Sequence, residues 1–261
     1  MHIAFIDETN VYLEGQKCLL YAVYVCADLD RVAQALAAVR AKHAIPAEQE
    51  IKWAIDTGDR DRNASIKEDL LCTTHGSGDQ FLVSVTRGWD KISAFHRSLQ
   101  QVHSHFRSIA AEHYGIVYDH DTTPKRREAE ALVNNFSAPP SCVLFADATS
   151  QLTGGICVAD AFGGAYAYMV HKQDIEQQPQ IEIGLHGMPL RLDAFFWEIF
   201  RRRIPGEVRW NPSHHPDEDI ARAETRYRHT LGHGLVLDPS LSQAQRARFD
   251  TLIDLFLGCT L

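Results

Sequence analysis

Long hydrophobic runs are what this chain most plainly lacks. The longest uncharged apolar stretch is Cys18 to Ala27 (CLLYAVYVCA), and a membrane-spanning helix needs about 20 such residues, so no membrane partner is expected. No secretory leader is expected, because Asp7 and Glu8 interrupt the N-terminal apolar stretch. Paired cysteine motifs are missing too. The six cysteines include no CxxC. Most of them lie in apolar runs and read as reduced core residues, which points to a cytoplasmic compartment. Excess positive charge is also absent. The chain has 26 Lys and Arg against 34 Asp and Glu, a net charge of −8. That excludes a uniformly basic nucleic-acid coat but leaves room for a local basic patch. There is no Walker A sequence, no GxGxxG and no GxSxG. A nucleotide-fuelled motor, a Rossmann dehydrogenase and a serine hydrolase are disfavoured accordingly.

What is there is ordinary globular material. The chain has 261 residues, 45% hydrophobic and 23% charged, a length for roughly one to two domains. The pattern predicts a buried first strand from His2 to Asp7 and a second over Cys18 to Ala27, joined as a hairpin with a longer loop. A helix capped by Asp28 or Asp30 runs to about His43, with Val32, Leu36 and Val39 on one face. Further strands are expected at Gln80–Thr86, Gly115–Tyr118 and Ser141–Ala146. Helices are expected at Ser65–Cys72, Lys91–His113 (ended by Gly115), Pro124–Phe136 and Gly154–Val170. Strands alternating with helices indicate an α/β fold with a mixed sheet. Residues 1–172 read as its core, and 173–261 as a polar, helical C-terminal extension.

Four acids stand in apolar company. Asp7 and Asp119 each follow a buried strand run, Asp160 interrupts an apolar helix face, and Glu50 opens the segment EIKW. A buried carboxylate is costly unless paired, protonated or bound to metal. Ligands of open α/β sheets gather at the carboxyl ends of strands, which would bring Asp7 and Asp119 together. Gly163 and Gly164 would let the last helix approach closely and carry Asp160 to the same place. Converging carboxylates repel one another at low dielectric, and a hard divalent cation, Mg²⁺ or Mn²⁺, relieves that repulsion. Two such ions would activate water and stabilise the leaving oxygen of a phosphodiester. The bland alternative for each strand-end Asp is a turn former or helix cap.

The motifs carry a resemblance. Ala4-Phe5-Ile6-Asp7-Glu8-Thr9 resembles the strand ending in Asp-Glu-Ser-Gly that opens the bacterial family called domain of unknown function 3800. Glu50-Ile51-Lys52-Trp53, Ile116-Val117-Tyr118-Asp119 and Gly155-Ile156-Cys157-Val158-Ala159-Asp160 are similar to its later motifs, in the right order, within about residues 1–172. The resemblance implies a ribonuclease-H-like fold, a central mixed sheet flanked by helices, with an acidic cluster binding divalent metal. Asp7 would be the first-strand aspartate bridging two metals, Glu50 the helix glutamate, Asp119 the second-strand aspartate and Asp160 the last-helix carboxylate. Glu8 and Asp121 would support them. Asn10 departs from the family's glycine, and Cys157 from its glutamine.

Lys52, Lys125, Arg126 and Arg127 are candidate contacts to substrate phosphates, and Arg201-Arg202-Arg203, followed by Arg209 and Trp210, forms a second basic run. Solvated helix ends are the alternative for both runs. His120, between two acids, is a candidate proton shuttle. His214-His215-x-Asp217 and His229-x-x-x-His233 have spacings that suit zinc, without an HExxH pattern. The leading expectation is a Mg²⁺- or Mn²⁺-dependent nuclease acting on DNA or RNA through Asp7, Glu50, Asp119 and Asp160. The alternatives are a non-catalytic binding or regulatory module of the same fold, in phage defence or a toxin system, and a phosphatase or nucleotide hydrolase.

Overall fold

The computed structural model describes residues 1–73, 78–119, 126–146, 154–171, 180–183, 188–191, 204, 207–210, 227–230 and 234–249. Among them a six-stranded mixed sheet is flanked by helices on both faces. Strand β1 (His2–Leu13) turns into β2 (Gln16–Cys26), followed by α1 (Leu29–Lys42), α2 (Arg60–Cys72), β3 (Gln80–Arg87) and α3 (Lys91–Ser108). Then come β4 (Tyr114–Asp119), α4 (Arg126–Val133), β5 (Cys142–Ala146) and α5 (Gly155–His171). Short strands β6 (Gln180–Ile183), β7 (Met188–Arg191), β8 (Glu207–Trp210), β9 (Tyr227–Thr230) and β10 (Leu235–Leu237) complete the order. The main sheet runs β10-β3-β2-β1-β4-β5. β1–β2 and β2–β3 are antiparallel, while β4 lies parallel to β1, β5 to β4 and β10 to β3.

The first strand does not end at Asp7. Residues 8–13 keep the two-residue alternation and pair with β2 as far as Leu13 and Gln16. The hairpin loop is therefore two residues rather than a longer loop. Glu14 and Gly15 both take positive φ, 50° and 73°, the combination that makes a tight turn match the strand twist.

Alternation along β1 sorts its side chains between two cores. Ile3, Phe5, Val11 and Leu13 pack under α1, α2 and α5. Ala4 and Ile6 pack under α3 with Tyr114, Ile116 and Tyr118 of β4. Helix α1 has the expected buried stripe Val32, Leu36 and Val39 behind an Asp28 cap. Helix α3 stops at Ser108, short of the expected His113, because its end is already capped. Ala111 N–H bonds to Phe106 C=O at 2.9 Å and Ala110 N–H to Arg107 C=O at 3.1 Å, with Ala110 at φ 51°. This is a Schellman arrangement with alanine in the usual glycine position, and Gly115 falls inside β4 instead.

The C-terminal residues also depart from expectation. Between 173 and 261 the described residues form β6 to β10, with helix only at 243–249. Four-residue strands are too short to leave a clear two-residue period in the sequence. Segment 234–249 is part of the core: β10 extends the main sheet beside β3, and Phe249 is fully buried near Tyr166.

Candidate functional site

Asp7 sits in mid-strand on the α5 side of β1, between Phe5 and Thr9, and is only 7% exposed. The parallel register pairs Ile6 with Tyr118, so Asp119, which ends β4, comes beside Asp7. Asp119 follows Val117, which belongs to the same core face, and is itself 8% exposed. Helix α5 crosses this face of β1 and β2. It is apolar nearly all round, and Asp160 is one of the few residues on it that is only partly buried.

The result is a coupled carboxylate pair. Burial is the largest influence on the Asp7 carboxyl, and the Asp160 and Asp119 carboxylates add to it. Together they hold Asp7 well above the usual carboxylate range. Burial also pushes Asp160 up. The proximity of the two side chains raises the proton affinity of Asp7 and lowers that of Asp160, while the upward push of burial is the larger on both. Asp160 is further steadied by the main-chain N–H of Trp53. Asp7 Oδ1 accepts the Glu8 N–H at 2.8 Å.

Glu50 and Lys52 lie beside this pair, on a segment without helix or strand that runs along α5. Ile51, fully buried, anchors the segment in the core. Lys52 Nζ meets Glu50 Oε2 at 2.5 Å. Burial pulls the Lys52 ammonium down, but Glu50, then Asp119 and Asp160, outweigh it and hold it above its ordinary value. The resemblance implied a helix glutamate. Glu50 is on no helix, because the helix before it closes at Lys42 and the next opens only at Arg60.

Trp53 forms the wall next to Asp160. Its ring is 6.4 Å from that of Tyr168 and packs directly on the backbone at Gly164, where a Cβ would collide with the indole. Gly163 faces the sheet, against Ala22 and Thr9. The two glycines thus do different jobs: one seats α5 on the sheet and the other seats Trp53 on α5. From α2, Lys67 Nζ lies 4.7 Å from the Trp53 ring centroid. The sequence reading missed Lys67, which looks like any lysine of a charged helix until Trp53 is placed against it.

Among the described residues, the other expected ones are not gathered here. Glu8 faces the opposite side of the sheet, where its carboxylate takes Lys91 at 2.6 Å and Tyr21 at 3.2 Å, because successive strand residues point to opposite faces. Arg127 is exposed on α4. Lys125, Asp121, His120, Arg201-Arg202-Arg203, His214, His215, Asp217 and His233 lie outside the described residues, and of Arg126 only the backbone is described. His229 is in β9, a strand, so its four-residue spacing to His233 does not set two ligands on one helix face. Cys157 is buried in the core, where burial pushes its thiol up to about 12.

The donor chemistry suits a hard divalent ion, since every acid at the site offers oxygen. Among the described residues, however, no three His, Cys, Asp or Glu side chains are grouped as a metal centre. No helix among the described residues is long and apolar enough to cross a membrane. No protein-family model matches the chain, and no curated protein matches it.

Proposed function

We propose that this chain is a divalent-metal-dependent phosphodiester hydrolase of ribonuclease-H-like fold, similar to the domain of unknown function 3800 family, and that it acts on DNA or RNA. One observation carries the reading. Asp7, Asp119 and Asp160 arrive from β1, β4 and α5 at one spot, where burial and the Asp160 and Asp119 carboxylates raise the proton affinity of Asp7. Such perturbation in a cleft is characteristic of sites that do chemistry. Core packing alone gives no reason to bury three acids together.

In this reading Asp7, Asp119 and Asp160 would hold Mg²⁺ or Mn²⁺, with Glu50 as a fourth ligand or as orienter of the attacking water. The ion supplies activation of water and charge neutralisation at the phosphate. Trp53 N–H would keep Asp160 oriented towards the ion. Lys52, held by Glu50 in the resting site, is free to turn to a phosphate oxygen if Glu50 is drawn to the metal.

The test is hydrolysis of labelled single- and double-stranded DNA and RNA with Mg²⁺ or Mn²⁺. Asp7→Asn and Asp160→Asn should each abolish cleavage. Full activity in both variants would end the reading. The second reading is a non-catalytic binding module of the same fold, favoured by the Glu50–Lys52 ion pair, which occupies the fourth carboxylate. A folded wild-type protein that binds oligonucleotides and cleaves none would support it.

A further inference from the structure

We infer that Lys67 is a substrate contact, gripping a phosphate of the nucleic-acid strand beside the Asp7–Asp160 pair; this rests on the nuclease reading above. Lys42, Lys52 and Lys91 each hold a carboxylate, at 2.7, 2.5 and 2.6 Å. Lys67 has no carboxylate partner among the described residues and is partly buried. Its ammonium rests over the Trp53 ring at 4.7 Å, and Trp53 in turn holds Asp160 through its main-chain N–H. A cation partly stripped of water, and given only a π face in exchange, is under-compensated. Burial draws its proton affinity down, and the one carboxylate that offsets this is Asp160.

Apart from Arg60, exposed at the start of α2, the cations of α1 and α2 nearest Lys67 are committed elsewhere. Arg62 donates to His43 C=O, and Lys42 pairs with Asp69. Lys67 is thus the cation that α2 offers to the carboxylate site. A phosphodiester brought to the carboxylates supplies the anion it lacks. Trp53 fixes where the ammonium waits, so that little side-chain freedom is lost on binding.

The experiment is fluorescence anisotropy of a labelled 12-nucleotide single strand, DNA and RNA in turn, on the full chain with Ca²⁺ in place of Mg²⁺. Affinity is followed against salt concentration. Lys67→Gln should bind about tenfold more weakly at low salt. Its log–log salt slope should be shallower by about 0.7, the share of one phosphate contact to a single strand. Lys67→Arg should restore both. Arg107→Gln, the same charge change on the far face at the end of α3, should change neither. A Lys67→Gln protein with the wild-type slope overturns the inference, whether its affinity is unchanged or merely lower. The nuclease reading would then still stand on the cleavage assay. Failure of the wild-type chain to bind either strand removes both.

Discussion

Replacing Gly164 by alanine tests how the candidate site is built. A Cβ there would stand 2.5 Å from the Trp53 Cβ and nearer still to its Cγ and Cδ1. Ordinary carbon contacts are about 3.5–4.0 Å, so the indole must retreat by more than about 1 Å. The Trp53 main chain follows, and its N–H leaves the partly buried Asp160 carboxylate. Overpacking costs about 1–3 kcal/mol and a lost hydrogen bond to a charged group about 1.5–3 kcal/mol. The better helix propensity of alanine returns about 1 kcal/mol. The net loss is about 3 kcal/mol, a fall in Tm of about 6–12 °C for a chain of this size. Thermal unfolding by circular dichroism reads it. The decisive arm is the double-mutant cycle with Trp53→Ala. With the indole gone, Gly164→Ala should be neutral, or stabilising by up to about 1 kcal/mol. An equal cost in both backgrounds would refute the idea that Gly164 exists to seat Trp53.

Further outcomes follow from the same geometry. Asp7 has a folded proton affinity above its ordinary value of 3.8, so the native state binds more protons than the unfolded one as pH rises from there. Its stabilising contribution is complete below that value and is lost as pH rises through the raised one. Urea midpoints in EDTA should therefore decline from pH 4 towards neutrality. Asp7→Asn should flatten that decline and be the more stable protein at pH 7, and a less stable variant at pH 7 would contradict the sign. Calorimetry should show Mn²⁺ binding to wild type and binding weakened by more than about tenfold in Asp160→Asn; equal affinities would place the ion elsewhere. Gly15→Ala meets no neighbour within 4 Å but must hold φ at 73°. It should cost about 1–2 kcal/mol in chemical denaturation, without altering metal binding.

The core of the fold was legible where hydrophobic patterning is dense. The runs IAFI and CLLYAVYVC leave little choice but central strands, and Asp160 stands out because no cap or solvent accounts for an acid on an apolar helix. The end of β1 was not legible, because Glu8, Thr9 and Asn10 look like a turn. They stay in the strand because β2 offers a full ladder to pair with. The expected glycine stop of α3 misled because Ala110 takes the left-handed position itself. Glu50, Lys52 and Trp53 lie in a segment with no period to read, located by Ile51 in the core and Trp53 on Gly164. Lys67 acquires meaning only through a tertiary contact. The strands after 180 are too short, and too far from their neighbours in sequence, for local pattern to reveal them.

The edge strand β10 has a consequence for synthesis. Leu235, Val236 and Leu237 pair with Val83, Ser84 and Val85, about 150 residues earlier. At about 5–20 residues per second on a ribosome, β3 waits roughly 8–30 s for the strand that covers its open side. During that interval its unpaired main chain is a template for any other extended segment. The residues on that edge, FLVSV, are buried in the finished protein and apolar except for Ser84. The nascent chain therefore passes through a period of exposure to self-association, which ends only when β10 docks on β3.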